Sequence, residues 1–134
     1  MKDLCGRLPY GVKVSVNQSQ LQNYNNKWKS WCFDEGPQEI YGVSIHGVTF
    51  GCLDTSDGDI DFEYIKPYLF PLSNMPEEQK VIHGDLCYKV IYNSKGLINS
   101  DVMEYVNWCY KNHIDINNLI PKRLAWDATN LNIY

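Results

Sequence analysis

Gly11-Val12-Lys13-Val14-Ser15-Val16 alternates apolar and polar residues, the two-residue period of a strand buried on one face. Before it, Asp3 to Leu8 spans one helical turn that Pro9 ends, because the residue preceding proline avoids the helical region. Residues 17 to 27 are polar and rich in Asn and Gln, a loop, and Trp28 to Phe33 forms a second strand. Asp34-Glu35-Gly36-Pro37 then marks a turn. Ile40 to Ile45, His46-Gly47 and Val48 to Leu53 have the layout of a tight hairpin, with glycine where a two-residue turn needs positive φ. Asp57-Gly58 repeats that signal between Val48–Leu53 and Ile60–Ile65. In the last strand Ile60, Phe62 and Tyr64 face one way and Asp59, Asp61 and Glu63 the other.

The second half reads differently. Lys66 to Leu72 is an extended segment bounded by Pro67 and Pro71 that leaves the sheet. Ser73 or Asn74 caps a helix with Pro76 in its first turn and Glu77-Glu78 at the positive end of its dipole. The helical pattern fades at His83-Gly84, and Leu86 to Tyr92 fits strand and helix equally. Ser100 caps a clearer helix over Asp101 to Asn112, where Val102, Val106, Cys109 and His113 recur at helical spacing. Leu124 to Trp126 returns as a short strand. About five short strands followed by helices predict an α+β domain. Its sheet part, about 10–72, is a small SH3-like barrel or a curved open sheet, and its helical part is about 73–134.

Composition sharpens this picture at two points. The chain has 134 residues, the size of one domain, and ten Tyr, four Trp and four Phe favour an aromatic, sheet-containing core. Its thirteen Asn, some paired as at Asn25-Asn26 and Asn117-Asn118, favour caps and turns, although an AT-rich genome produces the same bias. The net charge of −4 and the absence of a dense Lys/Arg stripe disfavour duplex nucleic acid. No apolar stretch approaches 18 residues and no leader-like apolar run follows Met1-Lys2-Asp3, so a cytoplasmic protein without membrane association is expected. Five widely spaced cysteines, Cys5, Cys32, Cys52, Cys87 and Cys109, suit buried thiols in a reducing compartment.

No catalytic, cofactor or metal motif is present. Asp54, Asp57, Asp59, Asp61 and Glu63 lack the register of a calcium loop and read as a solvated hairpin edge. His46, His83 and His113 belong to no zinc or hydrolase signature. Lys27-Trp28-Lys29-Ser30-Trp31 interleaves cations and indoles, as a nucleotide or single-strand site would, or as one core and one surface Trp would. Arg7, beside Pro9 and Tyr10, reads as a phosphate contact or as an ordinary surface arginine. Tyr68 and Phe70 in the proline-bounded segment are an exposed recognition strip or packing across the sheet.

Three stretches taken in order carry a resemblance: Asp3-Leu4-Cys5-Gly6-Arg7-Leu8-Pro9-Tyr10-Gly11-Val12, then Tyr64 to Met75 with Glu77-Glu78, then Leu119-Ile120-Pro121-Lys122-Arg123-Leu124-Ala125. Together they resemble small uncharacterised proteins encoded by phages and prophages of anaerobic gut bacteria. The resemblance implies a small mobile-element protein in a bacterial cytoplasm and carries over no functional residue. The leading expectation is a non-enzymatic phage-type module that binds a host or phage protein, such as a component of a defence system. A nucleotide- or small-ligand-sequestering protein built on Arg7, Lys27, Trp28, Lys29 and Trp31 is the second. A hydrolase with an unfamiliar Asp/His site is the third. No cofactor is expected, and the sequence leaves the oligomeric state open.

Overall fold

The computed structural model describes residues 2–17, 19, 36–50, 60–92 and 99–134. The strand predicted at Trp28–Phe33, the Asp57-Gly58 turn and the acidic positions 54, 57 and 59 lie outside them. The chain begins with helix α1 (Lys2–Arg7), which runs into a 3-10 turn at Leu8–Tyr10 containing Pro9. Gly11, at φ +66°, closes that turn and releases the chain into β1 (Lys13–Val16). The strands β2 (Gln38–Glu39), β3 (Gly42–Val43) and β4 (Val48–Thr49) follow, then β5 (Ile65–Leu69). Two long helices, α2 (Glu77–Tyr92) and α3 (Asn99–Lys111), precede the short β6 (Trp126–Asp127). The architecture is α+β, with a mixed sheet in the order β2-β1-β5-β6 and a separate β3-β4 ribbon.

The strand β5 corrects the expectation that the proline-bounded segment leaves the sheet. It is one of the two inner strands, antiparallel to β1 and parallel to β6. Pro67 has no N–H to give a ladder, and β6 begins to pair only at Tyr68, so the proline falls where β5 is still an edge on that side. Ile65, Pro67 and Leu69 face inward and Lys66 and Tyr68 outward. The stretch before it, read as a strand over Ile60–Ile65, is instead a single bridge at Ile60 and a 3-10 turn at Phe62–Tyr64. The burial pattern nevertheless holds, since Ile60 and Tyr64 are core and Phe62 packs on it.

No closed barrel forms among the described residues. The predicted hairpin is present but short, and Gly47 does not take the positive φ expected of it. A Cβ there would lie 2.2 Å from the Ile60 carbonyl oxygen, so the glycine serves a close backbone approach. The Ser44 hydroxyl accepts the N–H groups of His46 and Gly47 and shapes the loop. Val48 and Ile60 then exchange both backbone hydrogen bonds, at 2.8 and 2.9 Å, which ties the ribbon to the chain entering β5.

The main core gathers Leu4, Val12, Val14, Ile40, Val48, Phe50, Ile60, Tyr64 and Ile65 between α1, the sheet and the ribbon. A smaller cluster of Met75, Cys109 and Ile114 lies beneath α3. A buried charged residue of α1 joins the two parts of the chain. Arg7 has no exposed surface, donates to both Asp3 carboxylate oxygens at 2.6 and 3.1 Å, and donates to the Ile114 carbonyl at 2.7 Å. Its guanidinium lies 4.7 Å from the Tyr110 ring centroid. Asp3 also accepts from Asn117 at 2.6 Å. Gly6 permits this docking, because a Cβ there would sit 2.1 Å from the Tyr110 ring.

Removing one partner of a buried ion pair leaves the other charge uncompensated. Arg7→Met is therefore expected to cost about 3–5 kcal/mol in urea denaturation, while Asp3→Leu combined with Arg7→Met recovers most of that loss. Equal destabilisation of the single and double variants would contradict the ion-pair account.

Candidate functional site

Helix α2 starts later than its capping signals predict: Ser73 and Asn74 lie in a separate 3-10 turn (Leu72–Asn74), the Pro76 carbonyl accepts the first helical hydrogen bond from the Lys80 N–H, and the Glu77 carboxylate sits beside Lys80. It does not stop at His83-Gly84; it runs on to Tyr92, which resolves the ambiguous Leu86–Tyr92 stretch as helix. Its inner face, carrying His83, Leu86 and Cys87, packs on α3. Half a turn away, at helical spacing, Val81, Tyr88 and Tyr92 point outward with Ile91 on their flank. All four are 61 to 65% exposed. The Tyr88 and Tyr92 rings stack at 4.3 Å, which stiffens the end of this strip. Gly84 falls on the same side, where an added Cβ would meet nothing within 4 Å.

Polar groups rim the strip unevenly. Lys80 is held by Glu77, and Lys89 lies 3.7 Å from Glu104 of α3. Glu78 and Asp85 make no ion pair among the described residues. The rim is therefore acidic, and an isolated apolar strip of this length on a helix is the usual mark of a contact surface.

Between α2 and α3 the structure assembles a Cys–His group that no sequence motif announces. His83 Nε2 is 3.1 Å from the Tyr105 hydroxyl, and the His83 ring is tilted against Tyr105 and Trp108. The Cys87 sulfur lies 3.8 Å from Nδ1 and 3.7 Å from Nε2. Near-equal distances to both nitrogens place the sulfur against the ring as a whole, not in line with one lone pair. That is packing geometry, not a nucleophile aligned with its base. Burial raises the Cys109 thiol above its usual pKa, and burial likewise raises the Tyr105 phenol, so neither supplies a ready anion. Among the described residues no three His, Cys, Asp or Glu converge as metal ligands.

The other residues singled out from sequence are spread apart. Arg7 is not the surface arginine that was expected; it is fully buried and committed to Asp3 and Ile114. Tyr10 ends the 3-10 turn after α1, and Lys27, Trp28, Lys29 and Trp31 lie outside the described residues. Tyr68 belongs to β5, and Phe70, just past its end, makes an isolated bridge with Ile114. Tyr68 accepts a hydrogen bond on its carbonyl from the Tyr134 hydroxyl at 2.7 Å, and the Phe70 ring packs 5.8 Å from that of Tyr134. Asp61 and Glu63 are exposed, and His46 is exposed in the hairpin loop.

His113 is the buried titratable group of this region. It is 7% exposed, adopts φ +55° at the end of α3, and stacks on Tyr134 at 3.7 Å with the rings 13° from parallel. Its Nδ1 has no hydrogen-bond partner. Burial, and secondarily the Arg7 charge, pull its pKa down to about 4. Burial also pushes the Tyr134 phenol up to about 12. No helix among the described residues is long and apolar enough to span a membrane. No protein-family model, curated protein or solved structure matches this chain.

Because the unfolded His113 titrates near 6.5 and the folded one near 4, the unfolded state binds the extra proton between these values. Stability is then complete above about pH 6.5 and falls as the pH drops toward 4, by on the order of 3 kcal/mol. Urea midpoints from pH 7.5 to 4.5 should show this loss in the wild type and a flatter profile in His113→Phe. Parallel profiles would contradict the assignment.

Proposed function

We propose that this protein is a non-enzymatic binding module that docks a protein partner through the outward face of α2. The observation that carries this reading is the strip of Val81, Tyr88, Ile91 and Tyr92, four large apolar side chains exposed along one helix. Aromatic residues anchor interfaces because they bury large areas with few torsions to fix. Glu78 and Asp85, which make no ion pair among the described residues, favour a partner with an apolar surface or groove edged by Lys or Arg. A second copy of this chain fits poorly, because two-fold pairing about the middle of α2 would set Asp85 against itself. The resemblance to phage and prophage proteins supports a host or phage protein as that partner, a defence component among the candidates.

Immobilised wild-type protein should retain one bacterial protein at near-equal stoichiometry at low salt. Tyr88→Ala combined with Ile91→Ala, and separately Asp85→Lys, should each reduce retention at least about tenfold, with circular dichroism unchanged because these side chains are exposed. Equal retention by the wild type and both variants would remove α2 as the docking face.

A further inference from the structure

The outward face of the sheet carries a second, independent feature. Ser15 of β1, Lys66 and Tyr68 of β5 and Trp126 of β6 stand on the same side of neighbouring strands. With Glu63 and Asn17 they line an open groove of 420 Å3, within the roughly 300–1,000 Å3 range of small-ligand sites. The indole of Trp126 reaches across β5, and its N–H donates to the Ser15 hydroxyl at 2.8 Å. Ser15 in turn lies 3.4 Å from the Lys66 carbonyl. A Trp that is 49% exposed is thereby held in one orientation. The Lys66 ammonium rests 5.0 Å from the centre of its ring and makes no ion pair among the described residues.

We propose that this groove binds a nucleoside monophosphate whose base carries an exocyclic amine. Three groups divide the recognition. The fixed indole offers a stacking face to a planar base, worth about 1–3 kcal/mol in comparable contacts. Lys66 rests on that ring on a flexible stem, so an arriving base displaces its ammonium from the ring toward the phosphate. Glu63 accepts from the exocyclic amine, which a carboxylate can do and which it cannot do with a base presenting only carbonyl oxygens there. The groove shares no residue with the α2 face, and its test is separate from that of the docking reading.

Calorimetric titration with CMP and UMP tests the assignment, since the two pyrimidines differ at the exocyclic position. CMP should bind at least about tenfold more tightly than UMP, and Glu63→Gln should erase that preference. Lys66→Met should weaken CMP binding and flatten its dependence on salt, and Trp126→Ala should abolish it. Absence of heat with CMP at millimolar concentration would overturn the proposal. So would equal CMP and UMP affinity in the wild type, or CMP binding that survives both Trp126→Ala and Lys66→Met.

Discussion

A fully buried guanidinium ties the N-terminal helix to the end of α3. Arg7 pairs with Asp3 one turn back in α1 and reaches across to the Tyr110 ring on α3 and the Ile114 carbonyl just beyond it. A buried charge needs such partners, and here one is local and two come from the far half of the sequence, while Nη1 has no hydrogen-bond partner among the described residues. Asp3 extends the link to Asn117, and Ile114 forms a bridge with Phe70 at the end of β5. Arg7 thus acts with the Met75, Cys109 and Ile114 cluster and the backbone hydrogen bonds of Phe70 to hold the end of α3 against the sheet. Helix α2 in turn packs on α3.

With α3 fixed, α2 must choose a face. It buries Leu86 with His83 and Cys87 against α3 and leaves Val81, Tyr88, Ile91 and Tyr92 outside. Hydrophobic burial drives the first choice, and the second leaves four large apolar side chains more than 60% exposed. This asymmetry is what makes the outer strip informative. The sheet groove differs in kind, being polar, aromatic and pre-set by a hydrogen bond between Trp126 and Ser15. The molecule thus offers two surfaces with distinct chemistries, a broad apolar one on a helix and a small mixed one on the sheet.

Much of the fold was legible in local signals, and the misses have identifiable causes. The α+β order, β1, the short hairpin and nearly all of α3 followed from period, capping and turn chemistry, whereas α2 begins at Glu77, beyond the cap expected at Ser73 or Asn74. The continuation of α2 did not, because apolar residues on both of its faces hide the 3.6-residue rhythm that marks a one-sided helix. Pro67 argued against an inner strand, and only the late start of β6 reconciles it with one. The candidate surfaces were less legible still. Arg7 looked like surface because nothing local predicts a partner 107 residues away. A Lys–Trp pair of the kind read at positions 27–31, which lie outside the described residues, occurs between Lys66 and Trp126, brought together by the parallel pairing of β5 and β6.

The most direct measurement is photo-crosslinking in bacterial cells from an amino acid placed at position 88, with position 46 in the exposed hairpin loop as the control. The account predicts one discrete adduct from position 88 and none from position 46, with the crosslinked peptide of the partner apolar and flanked by Lys or Arg. No adduct from position 88, or an adduct with a second copy of this chain, would contradict it.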